Sequence, residues 1–536
     1  MRRYAALVIG ITLTICALIF YYFSVLRIDY YKTALLNLDP HPDADEYFAQ
    51  ARALATTGTP FIQIGYDRLP SRYPPGYPAL MVPWFKLLPV HEQILAPFRT
   101  NESIGALLLV GVFALYWWQK KPLDGGLAVL LLGTLPAFVS FSRSCLSEIS
   151  AAAAVALAFA LIYLGLQDGK RWLIYSAAAI LGLAINIRIQ SVFFAPLLLA
   201  MALVPNRHSR WTWLLHCFGA LLVFSIAASP LLALNDMEFG APLRTGYDFW
   251  VPSASGARSL FSRENIPANL GMLWKEITVR QEEFRVANLF GTGTYFVASF
   301  VVLVIAGIAM MPRDRFFLCA LLAGATFFGA TITYHFVDGR FYLPLLILSV
   351  GAAELPMGWA VRRARDGKRE IVVAVVIILF ILTFLGYPSQ SGYRPKPNRL
   401  QVWDALQFAT TRNRSPNFEA AQNLLRSCAN KSGIVLSDID PVYLNALLGD
   451  SFVAAPLDGK HHYTHSATWH YGQPEAVALI KRALARRLDV YGLFASTKDL
   501  DQNLARLPSL EGYVWIRLPH PKTADVIMKL TPLPGS

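Results

Sequence analysis

The 536-residue chain is 55% hydrophobic and only 15% charged, where a soluble domain carries about 25% charged residues. That balance excludes a disordered chain, a nucleic-acid-binding basic domain and an ordinary cytosolic enzyme, and it indicates a polytopic α-helical membrane protein. The formal charge of +13 then belongs on cytoplasmic loops, where Lys and Arg collect.

A membrane span needs about 20 mostly apolar residues. Eleven segments qualify in chain order: 5–26, 97–118, 123–142, 148–166, 172–187, 190–205, 211–234, 292–311, 316–334, 341–358 and 370–387. The first follows Arg2 and Arg3 and is too long for a signal-peptide core, so it is expected to be a retained anchor. With the N-terminus inside, fifteen cations fall on the inner side: Arg2, Arg3, Lys120, Lys121, Lys170, Arg171, Arg207, Arg210, Arg313, Arg315, Arg362, Arg363, Arg365, Lys368 and Arg369. The short outer turns hold only Arg143, Arg188 and Arg340. The bias predicts the N-terminus in and the C-terminus out. Two long outer loops result, 27–96 and 235–291, followed by a tail, 388–536.

The first outer loop carries Asp39, Asp43, Asp45 and Glu46 just beyond a span. From Glu46 onward Tyr47, Phe48, Ala51, Leu54 and Ala55 share one helical face, and Gly58 offers a stop. Asp43 is expected to cap this helix with Glu46 completing a capping box, which leaves Asp45 unused. A carboxylate partly desolvated at the membrane edge has its pKa raised toward that of a general base. Downstream, Pro74, Pro75, Pro78 and Pro83 are expected to exclude continuous helix while Gly76 permits a turn. Tyr73, Tyr77, Trp84 and Phe85 suit the interface.

Glu148 opens the fourth span. It either complements the helix dipole or pairs with Asp45 or a metal. Arg188 and Arg340 break the inside-positive pattern; they either snorkel to lipid phosphate or bind a lipid-carrier phosphate. Arg72 and Arg143 are weaker candidates, and Tyr342 and His335 line a cavity or simply pack. The tail opens on a Pro/Ser/Gly-rich linker, YPSQSGYRPKPN, and continues as a small α/β domain. Its helices are expected at 416–429, PVYLNALLG and PEAVALIKRALARR, and its strands at GIVLSD, SFVAAPL, DVYGLFAS, GYVWIRL and ADVIMKL. Asp438 and Asp440 read as strand-end turn residues. His461, His462, His465 and His470 cluster without a recognised metal spacing. The five cysteines form no CxxC and no disulfide framework. No complete metal-ligand set is legible, so no metal residue is assigned and a divalent cation is left open.

The segment DADEYFAQARALATTGTP followed by RYPPGYPALMVP resembles the first periplasmic loop of bacterial GT-C glycosyltransferases, the group that includes protein O-mannosyltransferases and the lipid A aminoarabinose transferase. SRSCLSEISAAAAVAL, INIRIQSVFFAPLLL and YHFVDGRFYLPLLIL are similar to later outer elements of that group, and the resemblance covers about residues 1–390. It implies a GT-C-like catalytic domain at 1–387 with about eleven transmembrane helices, and a periplasmic α/β domain at 388–536. It implies a bacterial inner-membrane enzyme that moves sugar from a polyprenyl-phosphate donor to a lipid, polysaccharide or protein acceptor, with inversion. By the same resemblance Asp45 is the general base, Glu46 orients it or binds the acceptor, and Glu148 is a second catalytic acid. Arg188, Arg340, Tyr73, Tyr77, Tyr342 and His335 bind substrate. Two alternatives remain: a transporter or flippase of lipid-linked sugars, or a catalytically inactive envelope scaffold. The first calls for ionisable or broken-helix features at mid-bilayer in two related halves, which the sequence does not show.

Overall fold

The structure, a computed structural model, describes residues 2–39, 41–204, 210–250, 260–278, 298–364, 376, 415–429, 431–459, 463, 469–496, 500–518 and 525–533. The expected span 370–387 falls almost wholly outside the described residues, as do the linker, much of the loop 235–291, and His461, His462 and His465. The chain forms two compact units. One comprises Met1–Ile28, Phe98–Leu231 and Ala257–Thr411; the other comprises Asp29–Pro97, Leu232–Gly256 and Arg412–Ser536. The units therefore do not divide at 387. The first outer loop belongs with the tail.

The first unit is helical. Among the described residues six helices are long and apolar enough to cross a membrane: Tyr4–Leu26, Val90–Trp118, Glu148–Asp168, Trp211–Phe239, Arg315–Ile332 and Gly339–Arg363. The expected span 123–142 is a pair, Pro122–Thr134 and Pro136–Ser142, bent by 65°. The cause is local. Pro136 disfavours helical geometry at Leu135, which is extended (φ −63°, ψ 126°), and Pro136 then starts the second helix at its first position. The expected span 172–187 forms as helix, whereas 190–205 departs from regular α-helix. A 17-residue helix, Arg171–Ile187, ends at extended Arg188, and an eleven-residue 3₁₀ stretch, Ile189–Leu199, follows. Runs of that length are uncommon because 3₁₀ hydrogen-bond geometry is poor.

Two sequence features explain the close packing. Pro230 sits inside the helix Arg210–Phe239 and disturbs its hydrogen-bond ladder. Asn186 inserts its amide there: Nδ2 donates to the Ala227 carbonyl at 2.9 Å, and Oδ1 accepts from Leu231 N–H at 2.9 Å. The first helix and Pro122–Thr134 meet through glycines, since a Cβ on Gly126 would lie 2.5 Å from the Gly10 carbonyl oxygen. Small residues of this kind let helix backbones approach in lipid. Gly126→Leu is expected to cost about 1–3 kcal/mol through overpacking, read as a lower melting temperature in detergent, whereas a leucine at Gly111, which faces open space, leaves it unchanged.

The second unit is built on the tail. Every expected tail element forms: helices Pro416–Ser427, Pro441–Leu448 and Gln473–Ala485, with strands β3 (Gly433–Ser437), β4 (Phe452–Pro456), β5 (Asp489–Phe494), β6 (Tyr513–Arg517) and β7 (Val526–Pro532). The sheet order is β4-β3-β5-β7-β6. β3 runs parallel to β4 and β5, while β7 is antiparallel to both β5 and β6. β3 connects to one side and β5 to the other, so the carboxyl ends of these two neighbours form a topological switch point. The first loop contributes the helix Asp43–Thr57, stopped by left-handed Gly58 as expected, and a hairpin of β1 (Ile62–Ile64) and β2 (Asp67–Leu69). Gly65, at φ +59° in the hairpin turn, donates its N–H to the Ala454 carbonyl of β4 at 2.7 Å.

The proline segment differs from expectation. Gly76–Leu87 is a helix. Pro75 precedes it and Pro78 lies in its first turn, where a missing N–H loses no internal bond, so only Pro83 interrupts the ladder.

Candidate active site

The acidic helix places its carboxylates differently from a capping box. It begins at Asp43 behind Pro42 and has no side-chain cap. Three acids in the first turn already complement the helix dipole, and each finds a partner elsewhere. Asp43 Oδ1 accepts from the Tyr73 hydroxyl. Glu46 is fully engaged: Oε2 accepts from Ser71 Oγ at 2.6 Å and from Arg72 N–H at 2.7 Å, and Oε1 accepts from the Tyr463 hydroxyl at 3.1 Å. Arg72 Nη1 lies 3.5 Å from Oε1. The guanidinium stacks over Tyr463 and Trp250, 4.9 and 5.4 Å from their ring centroids. Burial pushes the Glu46 carboxyl up, and Arg72, Ser71 and Tyr463 oppose it. Burial would lower Arg72, but Glu46 together with Tyr463, Tyr73 and Tyr247 outweighs it and holds the guanidinium above its ordinary value.

Asp45 is the exception. It is 0% exposed, and its Oδ2 is hydrogen-bonded to His41 Nδ1. Its Oδ1 is buried with no hydrogen-bond partner among the described residues. Burial raises the carboxyl well above its usual range, His41 opposes the shift, and the Asp440 carboxylate adds to it. Burial lowers His41, yet Asp45, then Asp440 and Asp39, lift it to about 10.

Tyr73 and Tyr77 sit in the same unit as packing residues. Tyr77 is completely buried and meets Tyr47 edge-on at 5.0 Å, and half-buried Tyr73 lies against Tyr47 and Tyr247. Buried Tyr77 is not available as an interfacial ring.

In the first unit, Glu148 opens its helix behind Ser147. It is 1% exposed and lies between two cations: Arg188 Nη1 at 2.9 Å and Arg340 Nε at 3.7 Å from its Oε1. Arg188 also donates to Ser147 Oγ at 3.1 Å, and Arg340 Nε lies 3.1 Å from Asp338 Oδ2. Both guanidinium carbons stand 5.1 Å from the ring centroid of Phe341. The extended backbone of Arg188, between a helix and a 3₁₀ stretch, and the 3₁₀ turn Gly339–Tyr342 aim these side chains inward. The loop before Glu148 is pinned by Asn101, whose Nδ2 donates to the Ser144 and Leu146 carbonyls, both at 2.8 Å. Tyr342 is buried and its ring lies 5.8 Å from Phe328, while His335 rests on Phe336 at 4.0 Å. Arg143 is fully buried and donates to the Ser24 carbonyl at 3.4 Å.

Several residues beside these acids were not among the sequence candidates. Asp440 is the N-cap of Pro441–Leu448, its Oδ1 accepting from Val442 N–H at 2.8 Å and Tyr443 N–H at 3.3 Å. An Asp–Pro step before an apolar helix is a legible cap signal. Its place beside Asp45, and that of Tyr463 on Glu46, left no trace in sequence.

Neither a protein-family model nor a curated protein sequence matches the chain. Solved structures do. ArnT from Cupriavidus metallidurans, bound to undecaprenyl phosphate, superposes with a TM-score of 0.58 at 14% identity over 97% of each chain. The archaeal oligosaccharyltransferase AglB from Archaeoglobus fulgidus, in complex with an inhibitory peptide and a dolichol-phosphate, gives 0.53 at 13% identity over 98% of this chain and 74% of its own. The fold is that of the GT-C glycosyltransferases. Six described helices are long and apolar enough to cross a membrane, in keeping with the apolar composition. In this chain the first-loop acids lie in the unit containing the tail, and the Glu148–Arg188–Arg340 cluster lies in the helical unit.

Proposed function

We propose that the chain is an integral-membrane glycosyltransferase that takes a sugar from a polyprenyl-phosphate-linked donor and passes it to a cell-envelope hydroxyl at the periplasmic face of a bacterial inner membrane. The observation that carries this is the division of labour between adjacent acids. Glu46 spends both oxygens on Ser71, Arg72 and Tyr463, whereas Asp45 keeps a buried oxygen with no hydrogen-bond partner among the described residues. A raised carboxyl at that position suits general-base chemistry. Asp45 takes the acceptor proton as the hydroxyl attacks the anomeric carbon, the bond to the carrier phosphate breaks, and the configuration inverts. Glu46 serves as an anchor for the loop.

For the carrier phosphate the best-placed groups are Arg188 and Arg340. Two guanidiniums flanking one ring and preset by Glu148 and Asp338 suit bidentate recognition of a phosphate group. The likeness to folds solved with undecaprenyl phosphate and dolichol-phosphate supports the same ligand class, and the inside-positive bias supports the orientation. Binding of undecaprenyl phosphate to the detergent-solubilised protein tests the assignment. Arg188→Ala and Arg340→Ala are each expected to weaken it about tenfold or more, in line with ~1.5–3 kcal/mol for a charge-assisted bond. Equal affinity in both variants and the parent would remove these residues from the phosphate site.

A further inference from the structure

The helix Gly339–Arg363 carries a single acid, Glu354, within an apolar run. Glu354 was not among the sequence candidates, and it stands apart from the groups around Asp45 and Glu148. An ionisable side chain inside a span is costly and is kept where it has a partner or a task.

Glu354 is 1% exposed. Gly351 and Gly358 flank it on one helical face, three residues before and four after, and the missing side chains make room there for polar groups. A Cβ on Gly351 would meet Tyr116 Oη at 3.8 Å. A Cβ on Gly358 would lie 2.7 Å from Asp124 Oδ1, 2.8 Å from Glu354 Oε1 and 3.2 Å from Arg362 Nη1. Both carboxyl groups therefore converge on the gap at Gly358, within hydrogen-bonding reach of each other. Tyr116 donates its hydroxyl to Glu354 Oε2 at 3.4 Å, and Arg362 Nη1 donates to Asp124 Oδ1 at 2.6 Å. Glu354 Oε1 is buried and meets no donor among the described residues.

Two bare carboxylates cannot hydrogen-bond to each other, because each only accepts. One proton between them turns one group into a donor. The balance of charge points the same way. Arg362 is the cation beside both acids, and its side chain is 52% exposed while that of Asp124 is 13% exposed. Without a proton, two buried negative charges would face one half-solvated guanidinium, and uncompensated buried charge is costly. A metal ion is disfavoured, since Arg362 already occupies Asp124 Oδ1.

We propose that Glu354 and Asp124 share one proton, and that this buried proton site pins three helices together. They are Val90–Trp118, which brings Tyr116, Pro122–Thr134, which brings Asp124, and Gly339–Arg363. The last of these carries Arg340 at its other end, so the site braces one of the two groups proposed for the carrier phosphate. That consequence rests on the transferase reading; the shared proton does not.

The test is infrared spectroscopy of the full-length protein in an ester-free detergent, with melting temperatures measured beside it. Subtracting the Glu354→Gln spectrum from the parent's is expected to leave the carbonyl band of one protonated carboxylic acid. Glutamine keeps the shape and offers an N–H to Asp124 where the proton stood, so this variant should melt with the parent or above it. Glu354→Ala supplies no donor, and Gly358→Ala drives a methyl group into the pair; each is expected to melt several degrees lower. A difference spectrum without the acid band overturns the proposal. So does a Glu354→Gln protein that melts below the parent or fails to fold, or parental melting in both alanine variants. Melting that rises with Na⁺ over choline in the parent and not in Glu354→Gln would assign a metal cation to the site, and it overturns the proposal too. None of these readouts uses sugar transfer, so a protein inactive in transfer refutes the transferase reading and leaves the shared proton standing.

Discussion

Asp45→Asn is expected to lower sugar transfer by about 10²–10⁴-fold, the contribution of a positioned general base, while the protein stays folded. Asparagine keeps the size of the side chain and an oxygen that can accept from His41, so the contact to Nδ1 survives. It removes a charge that burial already disfavours, so the melting temperature should hold or rise. The assay is release of undecaprenyl phosphate from endogenous lipid-linked sugars in membranes, followed by mass spectrometry with and without the variant. A scaffold would pass this test unaltered. Retained turnover with Asn at 45 would place the base elsewhere, and the transferase chemistry assigned to this loop would fail. Glu46→Gln is no substitute for this experiment, because Glu46 is tied into four contacts and its loss confounds chemistry with folding.

The sequence revealed periodic and local features well. Tail strands and helices are legible because hydrophobic alternation and Gly/Pro punctuation act over a few residues. The acidic first loop was legible for the same reason, as were Arg188 and Arg340, which stand out against the charge bias of the spans. Three expectations failed for identifiable causes. Asp43 was expected to cap a helix that it in fact begins, since Tyr73, thirty residues on, offers its carboxylate a better partner. Four prolines were expected to exclude helix, yet two of them occupy entry positions where proline is tolerated. A continuous span was expected at 123–142, where Pro136 breaks the helix, and a helix was expected at 190–205, where Ile189–Leu199 is 3₁₀. The partners of the acids were the least legible. Tyr463 and Asp440 lie about four hundred residues from Glu46 and Asp45 in the chain, and no local pattern encodes a contact of that range.

Glu46→Ala is expected to destabilise the second unit by about 3–5 kcal/mol, the cost of removing one partner of a buried ion pair. The argument rests on what is left behind. The Arg72 side chain is 7% exposed, held between Trp250 and Tyr463, and without Glu46 its charge has no carboxylate at that distance among the described contacts. The Arg72 N–H, the Ser71 hydroxyl and the Tyr463 hydroxyl would each lose an acceptor in a dry site, adding the desolvation penalty of unsatisfied donors. Arg72→Met with Glu46→Gln tests whether the pair stabilises or only specifies: a well-packed neutral replacement should recover most of the loss. Limited proteolysis and thermal melting report the change directly. The tail should open to protease in Glu46→Ala and close again in the double variant. A Glu46→Ala protein that melts with the parent would show that Tyr463 and Arg72 hold the first loop to the tail without the carboxylate, and Glu46 would then be available for the acceptor after all.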